Sequence, residues 1–264
     1  MTASNTDHLL ASIRQEIDEI DDQLVQLILR RLTTSARVRD IKGGAGGMTV
    51  TPYRPAREAQ IMRRLAAQTV FGTASAALTR LWRVILSASI NAQAAVTLHV
   101  EASVGQDIDC RLMIADQFCG MAVTVHPDVA SVVGAVGANP VDLAILDIES
   151  SWVEVIAGIA GSTIRVLAGL PSSTGAGHAP RLLVAGHCTV QPSGDDVTVL
   201  VGRGPMMDDC PWTKAWEVQS NGWTVTGVNG FVNEDDPAFA SFAADNSHLQ
   251  FRIAGSIPIL ARAK

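Results

Sequence analysis

Residues 10–31, LASIRQEIDEIDDQLVQLILRR, place an apolar side chain at every third or fourth position. This spacing is typical of one face of an α-helix and predicts a helix over residues 7–41, which ends where the glycines of residues 43–47 begin a flexible loop. The helix is too long to bury its apolar stripe within a small domain, so we expect it to pair with a second copy of the chain. The stripe consists of Leu10, Ile13, Ile17, Ile20, Leu24 and Leu27.

Two shorter helices follow the glycine loop. Pro55 suits the first turn of a helix, and the pattern after it predicts a helix over residues 55–68. A third helix is expected over residues 75–94, where Leu78, Leu81, Ile85 and Leu86 recur at helical spacing. Just afterwards the sequence changes from apolar residues at helical spacing to short β-branched runs separated by Gly and Pro, and we place a domain boundary near residue 95.

Charge divides the chain at the same place. Residues 1–95 contain twelve basic and eight acidic residues, a net charge of +4, whereas residues 96–264 contain eight basic and eighteen acidic residues, a net charge of −10. The whole chain carries −6, which disfavours nucleic acid as the partner. The four cysteines form no CxxC pair and no long apolar stretch is free of charges, so we expect no structural metal, no membrane span and a cytoplasmic location.

The remainder of the chain alternates strand and helix patterns. Short β-branched runs predict strands at 96–100, 122–126, 143–148, 164–167 and 182–185, with a helix at 129–136, which together indicate an α/β lobe over residues 96–190. Residues 191–264 are expected to add an α+β segment with strands at 197–201, 223–228 and 251–260 and helices at 212–218 and 238–244.

Polar residues interrupt the helical faces of residues 1–95 in a regular way. Arg31 and Lys42 are eleven residues apart, so they point in nearly the same direction about 16 Å apart along the axis. Arg14 lies about 100° away from Arg31 around the helix, which suits a pocket of the partner chain better than one in the same chain. Ser89 and Gln93 form an i,i+4 pair on the third helix.

These positions resemble those of a known family. IRQEI at 13–17, ID at 20–21 and LRR at 29–31 resemble the long first helix of the all-helical chorismate mutases. RPARE at 54–58 is similar to the start of that family's second helix, and RLWRVI at 80–85 is similar to its third. The resemblance covers residues 9–94, with a lengthened first loop and with Arg54 where some members carry an aspartate. Seven polar positions match: Arg14, Arg31, Lys42, Arg57, Glu58, Ser89 and Gln93.

The resemblance implies a dimeric three-helix bundle that converts chorismate to prephenate without cofactor or metal. Arg31 of one chain and Arg14 of the other would clamp the two substrate carboxylates, with Ser89 supporting one carboxylate. Lys42 and Gln93 would donate to the ether oxygen as its bond breaks. Glu58 would accept from the ring hydroxyl, and Arg57 would add positive charge.

Residues 96–264 resemble, more distantly, the dehydratase and ACT domains that follow a mutase in bifunctional enzymes. Pro180-Arg181-Leu182 stands where dehydratases carry Thr-Arg-Phe, so the hydroxyl that serves the acid step is missing. We therefore expect no dehydratase activity and interpret this region as a noncatalytic regulatory or assembly module. A truncation after Ala95 is then expected to retain the mutase chemistry.

Two alternatives to the mutase remain open at the level of sequence. An isochorismate-pyruvate lyase uses the same fold and a similar clamp. A regulatory or partner-binding protein would keep the helical domain without an enzymatic activity.

Overall fold

The computed structural model describes residues 3–43, 50–68, 72–159, 161–172, 177–204 and 210–260. Three helices come first: α1 (Ala3–Gly43), α2 (Pro55–Gln68) and α3 (Gly72–Asn91). The second helix has the predicted bounds, the first is longer at both ends, and the third begins and ends three residues earlier than predicted. Most of the predicted glycine loop, residues 44–47, lies outside the described residues.

The C-terminal region is built on one nine-stranded mixed sheet with the order β2-β1-β3-β5-β4-β9-β6-β8-β7. The first three strands of this order run parallel, β9 is parallel to β4, and the other neighbours are antiparallel. The strands are β1 (Thr97–Glu101), β2 (Ala122–His126), β3 (Leu143–Asp147), β4 (Ile164–Leu170), β5 (Leu182–His187), β6 (Asp196–Gly202), β7 (Lys214–Ser220), β8 (Trp223–Asn229) and β9 (Arg252–Pro258). The predicted fold class, N-terminal helices followed by a mixed α/β region, is confirmed.

Five further helices accompany the strands: α4 (Ala102–Gln106), α5 (Ile108–Gln117), α6 (Val129–Ala138), α7 (Trp152–Gly158) and α8 (Pro237–Asp245). Aspartates cap three of them, because a carboxylate can accept a hydrogen bond from an unpaired amide of the first turn. The side chain of Asp107 accepts from Cys110 N at 2.9 Å, and that of Asp128 accepts from Ser131 N at 2.8 Å. No helix among the described residues is long and apolar enough to cross a membrane.

Both faces of the sheet are buried at its centre, whereas the edge strand β2 is largely exposed. Successive residues of a strand point to opposite faces, so Ala144 and Leu146 of β3 pack with α6 and α7, whereas Leu143 and Ile145 face the other side. That second side is covered partly by α5 and partly by residues outside the sheet domain, including Tyr53 and Ile90. The N-terminal helices therefore share a hydrophobic core with the sheet.

The predicted helix at 212–218 is wrong, because β7 occupies most of this segment. It pairs with β8, and the indole of Trp216 packs directly over Gly227, where a side chain would collide with the ring. This contact between distant residues favours a strand over the helix that the local pattern indicated. The short helices α4, α5 and α7 were not predicted, since 5 to 10 residues display too few turns to establish a period.

The last strand lies between the two predicted C-terminal segments. Strand β9 pairs with β4 on one side and with β6 on the other, so strands from residues 96–190 and 191–264 belong to one sheet. The predicted boundaries near residues 95 and 190 stay predictions.

Candidate active site

Arg31, Glu58 and Ser89 come together from three different helices. Arg31 on α1 donates from Nη1 to the hydroxyl of Ser89 on α3, and the same nitrogen lies 3.4 Å from the backbone oxygen of Ile85. The Ser89 hydroxyl in turn donates to Ile85 O at 2.7 Å. These contacts join α1 to α3 at the position where the sequence predicts a substrate carboxylate.

Gln93 lies immediately beyond the end of α3. Its side-chain nitrogen donates to Ser89 O at 3.1 Å, and its backbone nitrogen donates to Ile90 O at 2.9 Å. The predicted pair of Ser89 and Gln93 is thus in direct contact, although the contact uses the backbone of Ser89. The side-chain amide nitrogen of Gln93 therefore already donates a hydrogen bond within the protein.

Glu58 lies in the first turn of α2, which Pro55 begins, and its backbone nitrogen donates to Arg54 O at 3.0 Å. Burial raises the pKa of its carboxyl to about 8, and this effect exceeds the opposing attractions of the Arg31 and Arg83 guanidinium groups. Glu58 as a whole is partly exposed, so this residue is not completely shielded from solvent. At neutral pH the carboxyl is therefore mostly protonated.

Arg31 responds to the same environment in the opposite sense. Burial lowers the pKa of its guanidinium group, whereas the charge of Glu58 raises it. A guanidinium group keeps its proton at any ordinary pH, so Arg31 presents a positive charge in a partly desolvated pocket. Such a charge binds a carboxylate more strongly than it would in open water.

Two predicted residues, Arg14 and Arg57, lie outside this cluster in a single chain, and a third, Lys42, has a side chain that the structure does not describe. Arg14 is exposed on α1, seventeen residues before Arg31 and therefore about 25 Å away along the helix. Arg57 is exposed on α2. Lys42 lies within α1, one residue before its end, but its side chain is outside the described residues.

The sequence-based prediction missed Arg83, a second charge beside Glu58. Arg83 is separated from Leu86 and Ile90 by three and seven residues, so it lies on the apolar, buried face of α3. A charged residue among buried positions at helical spacing is the signal that identifies it, and only 11% of its side chain is exposed.

The cluster has the chemistry of an anion pocket. A partly buried cation beside a serine hydroxyl can hold a carboxylate, and a protonated glutamate can donate or accept without repelling a negatively charged substrate. No described residue of the cluster is arranged as a nucleophile with a base, so binding and electrostatics are what these side chains offer to a reaction.

Comparisons with known proteins support the N-terminal segment most clearly. Residues 13–94 match the family model of chorismate mutase type II. A search of curated proteins found no significant match. The prephenate dehydratase from Streptococcus mutans is 13% identical, with a TM-score of 0.38 over 61% of this chain and 96% of that chain. A structure described as GqqA, a novel type of quorum quenching acylases, is 16% identical, with a TM-score of 0.37 over 61% and 94%.

At these TM-scores neither structural likeness bears on the function of the C-terminal region. The family match is different in kind, because it spans α1, α2 and α3 and includes all seven polar positions from Arg14 to Gln93. Residues 13–94 are therefore similar to the chorismate mutase type II family, whose members are isomerases that convert chorismate to prephenate, and this match covers less than half of the chain.

Proposed function

We propose that the chain catalyses the rearrangement of chorismate to prephenate in aromatic amino acid biosynthesis. The convergence of Arg31, Glu58 and Ser89 from three helices of the family segment carries this proposal. The reaction is intramolecular, so holding the substrate in its compact conformer and stabilising the developing charge suffice to accelerate it.

Each predicted residue has a role that suits this reaction. Arg31 binds one carboxylate with support from Ser89, and Lys42 and Gln93 donate to the ether oxygen, which gains negative charge as its C–O bond breaks. Glu58 accepts a hydrogen bond from the ring hydroxyl, which the carbonyl oxygen of a protonated carboxyl can also do. Its protonation spares the dianionic substrate a nearby negative charge.

A dimer with shared sites completes the proposal. The apolar side chains of α1 are about half exposed in a single chain, among them Ile13, Ile17 and Leu27. A partner helix along this face would bury them. The Arg14 of that partner helix would then lie near the Arg31 cluster of the first chain, which is too far from the Arg14 of the same chain. Arg14 of the partner would then bind the second carboxylate, and Arg57 would add positive charge at the rim.

The C-terminal region serves the mutase in this proposal and is not a second enzyme. Pro180 supplies no hydroxyl, and the neighbouring Arg181 pairs with Asp147 at 2.9 Å. The net charge of −10 on residues 96–264 also disfavours a dianionic substrate there. Regulation or assembly remains the role that we propose.

Chorismate consumption with identification of the product tests the function. Formation of prephenate supports the mutase, release of pyruvate indicates the lyase, and unchanged chorismate indicates a non-enzymatic protein. Arg31→Ala should lose about a hundredfold in kcat/KM, because it removes the carboxylate ligand from the pocket. Arg30→Ala is the matched control, since Arg30 is the adjacent arginine and is exposed.

A further inference from the structure

Arg83 connects the third N-terminal helix to the C-terminal region. Its Nη1 pairs with a carboxylate oxygen of Asp116 at the end of α5, and its Nη2 donates to the hydroxyl of Ser172 at 2.7 Å. Asp116 and Ser172 both belong to the region that follows the mutase segment. The guanidinium group is therefore held from two sides by residues that no isolated mutase segment would contain.

The contacts continue from Ser172 toward the start of α2. The hydroxyl of Ser172 donates to Gln117 Oε1 at 2.9 Å, and Ser87 on α3 donates to the backbone oxygen of Gln117 at 3.2 Å. The next residue, Phe118, packs edge-on against the ring of Tyr53, with 5.3 Å between ring centroids. One end of α5 therefore contacts both α3 and the segment that leads into α2.

Glu58 and Arg83 line the same small cavity, of about 30 Å³, together with Tyr53, Gln117 and Ser172. A cavity of this size holds about one water molecule and no substrate. The buried Nε of Arg83 has no hydrogen-bond partner among the described residues. Arg83 thus has an unused donor beside the cavity that Glu58 also lines.

We propose that Arg83 is a positioning residue that couples residues 97–260 to Glu58, so that the C-terminal region takes part in the mutase reaction without contacting chorismate. This inference rests on the proposed function for its kinetic consequence. The coupling itself is a property of the folded protein and is measurable without substrate.

The charged and titratable groups around Glu58 define what this coupling does. Arg31 faces it from α1, Arg83 from α3 and Tyr53 from the segment before α2, and Asp116 lies behind Arg83. Among the residues that the structure describes, strand β9 and its end contribute Pro258 and Leu260 to the cavity, and both are apolar. Arg83 favours the ionised carboxylate, and Asp116 partly neutralises that influence.

Two substitutions should therefore move Glu58 in opposite directions. Arg83→Gln removes a positive charge and should raise the titration midpoint of Glu58 by roughly half a pH unit or more. Asp116→Asn leaves the charge of Arg83 less compensated and should lower the midpoint. Arg64→Gln is the matched control, because it removes an exposed arginine of α2 and should leave the midpoint at the parent value.

The experiment titrates the Glu58 carboxyl carbon by NMR in the full chain, with Glu58→Gln used to assign the signal. The pH dependence of the KM for chorismate is measured on the same variants and should shift with the same midpoints. A merely structural role of Arg83 would lower stability and leave the midpoint unchanged.

Two results would overturn the proposal. One is an Arg83→Gln midpoint equal to that of Arg64→Gln, and the other is an Asp116→Asn midpoint equal to that of the parent, which removes the C-terminal region from the coupling. Asp116→Asn leaves Arg83 in place and decides the question if Arg83→Gln does not fold. Absence of chorismate conversion would refute the proposed function alone, because the NMR midpoints do not depend on substrate.

Discussion

Glu58 shows how competing effects set the state of one residue. Two guanidinium groups attract its charged form, yet burial dominates and raises its pKa to about 8. A carboxyl in an unfolded chain titrates near pH 4.3. The folded protein therefore binds one more proton than the unfolded chain at pH values between these limits, and its stability depends on pH accordingly.

The first prediction follows from this difference. The contribution of Glu58 to stability is fully present below about pH 4 and is lost as pH rises through about 8, because deprotonation leaves a buried charge in the folded state. In Glu58→Gln this contribution is absent, so the free energy of unfolding should fall less between pH 5 and pH 8, values chosen to lie roughly within that window. Urea unfolding at a series of pH values measures the slope.

Glu16→Gln provides the comparison, since Glu16 is exposed on α1. Its slope should match that of the parent. Parallel slopes for Glu58→Gln and the parent would show that the carboxyl titrates in the folded protein as it does in the unfolded chain.

Lys42 is the subject of the second prediction. It shares a helix face with Arg31 and is the proposed donor to the breaking ether bond, so Lys42→Ala should reduce kcat about a hundredfold. Arg37→Ala removes a positive charge from an exposed position of the same helix and should retain nearly all activity. Near-normal turnover of Lys42→Ala on chorismate would refute the assignment.

The resemblance to the all-helical chorismate mutases implied that Arg31 and Ser89 serve one substrate carboxylate, and the two side chains are in contact in the structure. Helical spacing alone indicated the face of each helix and not which faces meet. Arg83 could not be assigned in the same way, because its partners Asp116 and Ser172 lie outside residues 9–94, which the resemblance covers, at separations of 33 and 89 residues. Contacts over such separations depend on how the sheet packs against α3, and no local pattern encodes that.

Among the elements, α1 stands apart in having an apolar face that the other described residues do not cover. Its 41 residues span about 60 Å, and the side chains of Leu10, Ile20 and Leu24 are each nearly half exposed. A face of this length and regularity is a surface for a second helix. The apolar stripe in the sequence predicted this exposure correctly, while the dimer itself stays a prediction.

Mixing two inactive variants tests the shared site. Arg14→Ala and Arg31→Ala each destroy one contribution to every site of their own dimer, but a mixed dimer would hold one intact site. Random exchange of subunits should restore about a quarter of the parent activity. A mixture of Arg31→Ala and Ser89→Ala is the matched control: both residues come from the same chain of each site, so no intact site forms. Equal inactivity of both mixtures after demonstrated exchange would rule out sharing.

Element boundaries were predictable where a local signal exists. Pro55 marks the start of α2, and the β-branched run of β2 has the bounds that the sequence predicts, Ala122–His126. Strand β7 was mistaken for a helix because its identity depends on Trp216 covering Gly227 in the neighbouring strand. The order of the nine strands was not predictable for a related reason, since β9 inserts between strands that precede it by more than fifty residues.

At the scale of the whole molecule, the mutase segment packs against the sheet, and the two share a hydrophobic core. Tyr53 and Ile90 are 2% and 4% exposed within the core of the sheet domain. Thr51 N donates to His187 O at 3.1 Å, and Arg54 donates to the Cys188 sulfur at 2.9 Å. A truncation after Ala95 would expose these residues. We therefore expect the truncated protein to be less stable, while its retention of the mutase chemistry stays a prediction. A subtler change is needed to test the contact between α2 and the sheet.

Arg63 offers that subtler change, because it joins α2 to the far end of the chain. Its guanidinium group donates to the backbone oxygens of Ser193 and Ile259, which lie at the same end of the antiparallel strand pair β6 and β9. Arg63→Ala leaves these two carbonyls without their donor and should lower the free energy of unfolding by about 2 kcal/mol. Arg64→Ala, one residue away and exposed, should change it by less than about 0.5 kcal/mol. Urea unfolding of both variants beside the parent gives the two values. Equal stabilities would mean that α2 does not depend on the sheet, and the C-terminal region would then have to influence the mutase pocket through α3 and Arg83 alone.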